Sequence, residues 1–228
     1  MKHSTPIPTD EDFNYVHPAP KKYLCADVPA DKMHHILMKE KLWTSWSGDT
    51  YGIVNYDDQE KPFEVDVKGK AVSIREKSFI RNSKGEVVAV MAIIFLAWEP
   101  TFKIFGLTPY MEGQEPVKDL THEDKPLYEW ATCVSKVFRV VRKTMTMADG
   151  VEFIMDGVGE IFALRQMCIS RDGKPAAYCR QVHLATYVGN KWEVKIGPGI
   201  DAAMIIGFVA IIDQFNQGAF YTAGTYLW

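Results

Sequence analysis

The stretch Ala202-Ala-Met-Ile-Ile-Gly-Phe-Val-Ala-Ile-Ile212 is the most apolar part of the sequence. Asp201 precedes it as a favourable N-cap residue, after the helix breaker Gly197-Pro-Gly199. Asn216 to Gly218 then supplies a stop. The pattern therefore predicts a helix over residues 201–215. A helix that is apolar on every side is usually buried in a core, and this run is far shorter than the roughly 20 apolar residues of a membrane span.

The residues before this helix have the pattern of strands separated by turns. Phe63-Glu-Val-Asp-Val67 alternates apolar with polar residues, which is the period of a half-buried strand. Val87 to Trp98 is apolar enough to be a strand that is covered on both faces. A β-rich chain that ends in one wholly apolar helix predicts a barrel closed around that helix, because closure removes exposed strand edges and the helix can fill the lumen.

Composition sets the broad class of protein. The chain has 228 residues, of which 47% are hydrophobic, and a net charge of −3. These values exclude a disordered chain, a collagen-like repeat and a polytopic membrane protein. Near-neutral charge argues against broad binding to nucleic acid. The proline-rich start lacks the apolar segment of a signal or transit peptide, so we expect an intracellular, cytoplasmic protein, with a peripheral membrane location as the alternative.

Several segments with a defined order carry a resemblance to a known family. They are Val67-Lys-Gly-Lys-Ala-Val-Ser-Ile-Arg-Glu-Lys77, Asn82-Ser-Lys-Gly85, a long strand to Trp98, Phe102-Lys-Ile-Phe105 and the apolar helix. In this order the chain resembles the LURP-one-related family, which is grouped with the tubby C-terminal domain and the phospholipid scramblases. The resemblance implies a mainly β protein, a tubby-like closed antiparallel barrel of about twelve strands around a buried hydrophobic C-terminal helix.

Composition and the resemblance, which covers about residues 37–215, together predict three parts of the chain. Residues 1–36 form a proline-rich arm with little regular structure, residues 37–215 form the barrel with its core helix 201–215, and residues 216–228 form an aromatic tail. For tubby-like relatives the resemblance implies phosphoinositide binding at a basic surface. For scramblases it implies a calcium-linked membrane role, but this sequence has no acidic calcium-loop pattern near the helix. The family has no established catalytic residues to transfer.

Basic residues suggest where phosphate would bind. On a strand, positions 68 and 70 project to one face, as do 75 and 77, so each pair would contact one phosphate group. The alternative interpretation is a solvated outer barrel face, whose lysines prevent edge-to-edge pairing. The candidate ligands for phosphate or an anionic lipid are Lys68, Lys70, Arg75, Lys77, Arg139, Arg142 and Lys143.

The C-terminus is unusually aromatic for a segment that is normally polar and frayed. Either it packs back on its own barrel or it docks on a partner, because aromatic anchors are typical of interfaces. The residues predicted to bind a partner are Phe220, Tyr221, Tyr226 and Trp228.

The four cysteines form no C-x-x-C pair, which favours reduced thiols and no disulfide scaffold. Cys168 and Cys179 flank a turn at Arg171-Asp-Gly-Lys174, and across that hairpin they would be bridgeable in an oxidising compartment. Cys133 and His122 have the residue types of a nucleophile and a base, but nothing beyond residue type supports pairing them.

Metal and cofactor sites are not expected. Cys179 and His183 would share a strand face about 13 Å apart, too far for one metal ion. No nucleophile elbow, P-loop or dinucleotide-binding glycine motif occurs in the sequence. The sequence therefore predicts no enzyme, no metal and no cofactor.

The leading hypothesis is a non-catalytic binding or scaffold protein that engages a protein partner, or a second copy of itself, through loops, arm and tail. The runner-up is a peripheral membrane module that binds phosphoinositides through the basic pairs, and an enzyme is third. We expect neither nucleic-acid binding nor a transmembrane segment.

Overall fold

The computed structural model describes residues 6–40, 50–70, 77–94, 101–135, 142–158, 165–183 and 191–225. A short 3-10 helix (Asp10–Asn14) precedes the strands, and one long helix, α1 (Ala202–Thr225), follows them. The strands are β1 (His34–Glu40), β2 (Thr50–Asn55), β3 (Val65–Lys70), β4 (Lys77–Asn82), β5 (Val87–Ile94), β6 (Thr101–Gly106), β7 (Thr121–His122), β8 (Lys125–Pro126), β9 (Tyr128–Ser135), β10 (Arg142–Met147), β11 (Glu152–Gly157), β12 (Gln166–Arg171), β13 (Lys174–His183) and β14 (Lys191–Ile196).

Among the described residues, twelve strands close into one antiparallel barrel, in the order β1-β14-β13-β12-β11-β10-β9-β6-β5-β4-β3-β2. Neighbours in the barrel are neighbours in sequence, apart from the closing β1–β14 pair and the β7–β8 hairpin inserted between β6 and β9. Alternation along β3 shows how a strand separates the two faces of the wall. Val65 and Val67 are buried in the core, whereas Lys68, the next residue, is exposed on the outer face. The predicted closed barrel is confirmed.

The helix α1 fills the barrel, as predicted. Every residue from Ala202 to Asp213 is buried. Gly207 lets the helix approach the wall closely, because a Cβ there would lie 2.9 Å from Ile80 Cδ1 and 3.3 Å from Met91 Sδ. The helix continues to Thr225, ten residues beyond the predicted end at 215. Gly218 does not end it, because propagating an existing helix costs only about 1 kcal/mol at a glycine.

Asp201 caps the start of α1 within the core. Its carboxylate accepts hydrogen bonds from the backbone N–H of Met204 (3.1 Å) and of Leu24 (2.5 Å). Burial raises the pKa of Asp201 to about 6, although the backbone N–H donors act in the opposite direction. The cap therefore links the helix to the N-terminal arm.

The arm packs on the barrel and closes the end where α1 begins. Leu24, Cys25 and Val28 belong to the main core, and Phe13 packs in a smaller cluster on the outer wall. Backbone bonds hold the arm on both sides of the β14–α1 connection: His17 N–H donates to the Pro198 carbonyl (3.0 Å), and Gly199 N–H donates to the Ala30 carbonyl (2.6 Å). Regular structure in the arm consists of the 3-10 helix and the first residues of β1, which begins at His34.

Candidate functional site

The barrel has two chemically different ends. The end closed by residues 6–33 is called the arm end, and the opposite end, toward which α1 runs, is called the exit end. The Tyr51 hydroxyl donates a hydrogen bond to the Asp213 carboxylate, and Tyr51 pairs with Glu40 at the last described step of the β1–β2 ladder. The twelve helical residues after Asp213 add about 18 Å of helix, at 1.5 Å per residue, in that direction.

Connections between consecutive antiparallel strands alternate between the two ends. At the exit end the described strands stop at segments that lie outside the described residues; these segments, called the exit-end connections by their place in the sequence, are 41–49, 71–76, 95–100, 136–141, 159–164 and 184–190. The connections at the arm end are residues 56–64, 83–86, 107–127, 148–151, 172–173 and 197–201.

The sequences of these two sets of connections differ in polarity. Arm-end connections carry many carboxylates, including Asp57, Asp58, Glu112, Glu115, Asp119, Glu123 and Asp124. Exit-end connections are largely apolar and include Trp43, Trp46 and Trp98. Of the six tryptophans, only Trp130 and Trp192 lie in described strands, where both are buried. The exit-end connections are thus the more apolar and aromatic set in sequence.

The first basic group lies at the exit end of the β3–β4 hairpin. Lys68 is exposed on the outer face of β3, and Lys70 is the last residue of the same strand. The β3–β4 register places Lys70 directly opposite Lys77. Positions 68, 70 and 77 therefore lie within two ladder steps of one another and are called the rim lysines. Arg75 lies outside the described residues.

The second basic group is divided by the barrel wall. Arg142 is exposed, and its Nε lies 3.6 Å from Asp156 Oδ1 on β11. Lys143 is only 2% exposed, because adjacent strand residues face opposite sides and Met145 and Met147 share its buried face. Burial lowers the pKa of Lys143. Lys143 thus does not extend the exposed group, and Arg139 lies outside the described residues.

The predicted partner-binding aromatics lie in two places. Phe220 and Tyr221 are in the C-terminal half of α1, rather than in a separate tail. Tyr226 and Trp228 lie outside the described residues. The helix thus carries the first two toward the exit end.

Cys168 and Cys179, which flank the β12–β13 turn, do not face each other. A bulge between Ile169 and Ser170 shifts the β12–β13 register, so Cys168 pairs with Tyr178, and Cys179 pairs with Met167. Cys168 then belongs to the outer cluster and Cys179 to the barrel core, and both are free. The disulfide that the sequence left open is therefore not formed in this fold, because the two side chains lie on opposite faces of the wall.

The pairing of Cys133 with His122 also fails. Cys133 lies inside the barrel, where burial raises its pKa to about 12. His122 packs near Phe79, which lies against the outer-wall cluster under the 107–127 connection. Within the described part of the chain, no group of three or more His, Cys, Asp or Glu side chains is placed to hold a metal ion.

One polar feature that sequence reasoning missed is a cavity at the arm end, beside Arg171. Arg171 stands in a turn motif in the sequence, where an arginine is ordinarily exposed. The inward face of β12 and the arm above it are what bury this side chain, and the contact with the arm cannot be identified from local sequence.

One comparison with known proteins identifies a family that matches most of this chain. The family model described as LURP-one-related matches residues 34–213, which run from the first residue of β1 to Asp213 in α1. No curated protein matches the chain. None of the described helical residues forms a segment long and apolar enough to cross a membrane.

Proposed function

Because the chain belongs to the LURP-one-related family, a group consistent with the tubby-like superfamily and generally non-enzymatic, we propose that it is a non-catalytic binding protein whose exit end binds an anionic membrane surface. The observation that carries the proposal is the register that groups the rim lysines. Three lysine positions within two ladder steps could form charge-assisted hydrogen bonds with more than one phosphate group of an anionic surface.

The apolar sequences around the rim lysines support the same occupant. Membrane-binding surfaces combine basic residues, which attract anionic headgroups, with tryptophan and other large apolar residues at the interface. The exit-end connections supply Trp43, Trp46 and Trp98 by sequence. The acidic arm end would be repelled by the same surface, so the charge distribution also orients the barrel.

Reversing the rim lysines is expected to remove vesicle binding. Each lysine near an anionic surface contributes about 1 kcal/mol of attraction. The variant K68E/K70E/K77E replaces three such charges by repulsive ones, so we expect it to lose at least tenfold in affinity for vesicles. Co-sedimentation with phosphatidylcholine vesicles that contain phosphatidylserine or a phosphoinositide measures it, and 0.5 M salt should weaken wild-type binding by screening. The two lipids separate general anionic attraction from phosphoinositide selectivity.

A matched control reverses three lysines at the arm end. Lys61, Lys84 and Lys118 are all exposed, so K61E/K84E/K118E changes the net charge by the same amount. We expect it to bind vesicles like the wild type. Equal losses in both triple variants, or no binding by the wild type, would contradict the proposed membrane surface.

A second candidate function is docking of a protein partner on the C-terminal half of α1. The observation that favours it is the continuation of the helix to Thr225, so that Phe220 and Tyr221 follow the buried segment Ala202–Asp213 on the same helix. Deleting residues 219–228 should release a partner or an oligomer, as measured by native mass spectrometry. A lower melting temperature with unchanged assembly would instead mean that these residues pack on their own barrel.

A further inference from the structure

A cavity of about 180 Å³ lies at the arm end, between arm residues 19–22 and the start of α1. It is separate from the exit end and is used by neither function proposed above. Most of its wall is apolar, formed by the side chains of Met147, Val151, Phe153, Ile200 and Met204. Its remaining wall carries charged and hydroxyl groups.

Arg171 is one of the charged residues that line this cavity. It follows Met167 and Ile169 on the inward face of β12, and its side chain is 9% exposed. Its guanidinium donates to the Pro18 carbonyl of the arm (2.7 Å). Among the described residues, however, Nε of Arg171 is one of three buried polar side-chain atoms without a hydrogen-bond acceptor. Its ion-pair contact, Asp172 Oδ2, lies 3.6 Å away on an exposed turn side chain, beyond good hydrogen-bond distance.

A buried N–H on a cation is costly without an acceptor, so Arg171, which lines the cavity, keeps the capacity to donate a further hydrogen bond. The lining cations are Arg171, Lys21 and Lys22, and the lining carboxylates are Asp149 and Asp201. Both carboxylates already accept hydrogen bonds: Asp149 from the Tyr110 hydroxyl (3.3 Å), and Asp201 from backbone N–H groups. The unsatisfied capacity of the site is therefore that of a donor.

We propose that this cavity binds a small monocarboxylate with an apolar body of about one aromatic ring, with its carboxylate on Arg171. A cavity of about 150 Å³ with apolar walls accepts benzene, so the 180 Å³ here accommodates a ring with a carboxylate. A doubly charged phosphate ester fits less well, because Asp149 and Asp201 line the same space.

Benzoate is the probe that tests this site in the full chain. With ¹³C-methyl methionine labelling, titration with benzoate should shift the methyl signals of Met147 and Met204, which line the cavity. The signal of Met38, a buried residue of β1 that does not line it, should stay in place. Benzyl alcohol, a neutral molecule of similar shape, should bind at least tenfold more weakly. No shift of Met147 and Met204 with benzoate would overturn the proposal.

Two variants assign the recognition to Arg171. R171M should weaken benzoate binding at least tenfold and leave benzyl alcohol binding unchanged, whereas K84M removes the same charge from an exposed turn and should change neither. Should R171M fail to fold, V151F decides, since it fills the cavity without removing a charge and should abolish binding of both probes. Benzoate affinity that is retained in R171M or in V151F would contradict the site.

Discussion

Replacing Gly199 with alanine is expected to lower the free energy of unfolding by roughly 3 kcal/mol or more and to release the arm. Gly199 has φ +81°, a conformation that costs a residue with a Cβ about 1–3 kcal/mol. In addition, a Cβ there would lie 2.0 Å from the carbonyl oxygen of His17. That neighbour is backbone and cannot rotate away, so the arm must move.

The control for this variant separates strain from collision. Gly113 has φ +75°, but a Cβ there would meet no heavy atom within 4 Å. G113A should therefore show the conformational cost alone, about 1 kcal/mol. Urea unfolding measures both values, and limited trypsin digestion after Lys21 and Lys22 reports release of the arm. Equal losses in G113A and G199A, with equal digestion rates, would show that the arm does not pack on Gly199.

Shortening a buried side chain of the core helix is also expected to have a large effect on stability. Ile206 is 0% exposed inside the barrel, and I206A should cost roughly 2–5 kcal/mol, because it removes buried methyl groups and leaves a cavity. Such a loss is a large fraction of the roughly 5–15 kcal/mol by which domains are stable. Thermal or urea unfolding measures it.

The same substitution at an exposed isoleucine is the matched control. Ile7 is 57% exposed, so I7A should change the free energy of unfolding by less than about 0.5 kcal/mol. A small effect of I206A, close to that of I7A, would mean that α1 does not fill the barrel in solution.

The arm and the helix start act as one unit in this fold. Asp201 joins Leu24 of the arm to the first turn of α1, and Gly199 lies between His17 and Ala30. The cavity beside Arg171 lies under the same stretch of arm. G199A should therefore also weaken benzoate binding at the arm end and leave vesicle binding at the exit end unchanged. The two proposed sites can thus be tested independently of each other.

Sequence patterns predicted the elements of this protein well where one face is buried. The alternation in residues 63–67 identified the inner face of β3, and the apolar run after Asp201 identified the core helix. The two-residue turn at Asp172 and Gly173 was also recognised, and both residues have the positive φ of a tight hairpin turn. A segment with one buried face has a periodic pattern of apolar residues, and this pattern can be recognised without knowing which strands pair with the segment.

Other features depended on contacts between distant residues. Cys168 pairs with Tyr178 because of one bulge in the β12–β13 ladder. A register shift of one residue changes which side chains of the two strands lie on the same face of the barrel wall. The same alternation buries Lys143 beside the exposed Arg142, although the two look equivalent in a basic cluster. Burial of Arg171 requires the arm, which is about 150 residues earlier in the chain.

By itself, the sequence determined the class of fold: an antiparallel β barrel around a helix that is apolar on all sides. Hydrophobic periodicity is local, and an apolar helix of this kind has no stable place except a core. Only the tertiary structure decided which lysines share the rim, which cysteines are separated by the wall, and that the arm closes one mouth over Arg171. Those results depend on strand register and on long-range packing, and both are set by the closed barrel as a whole rather than by any one segment.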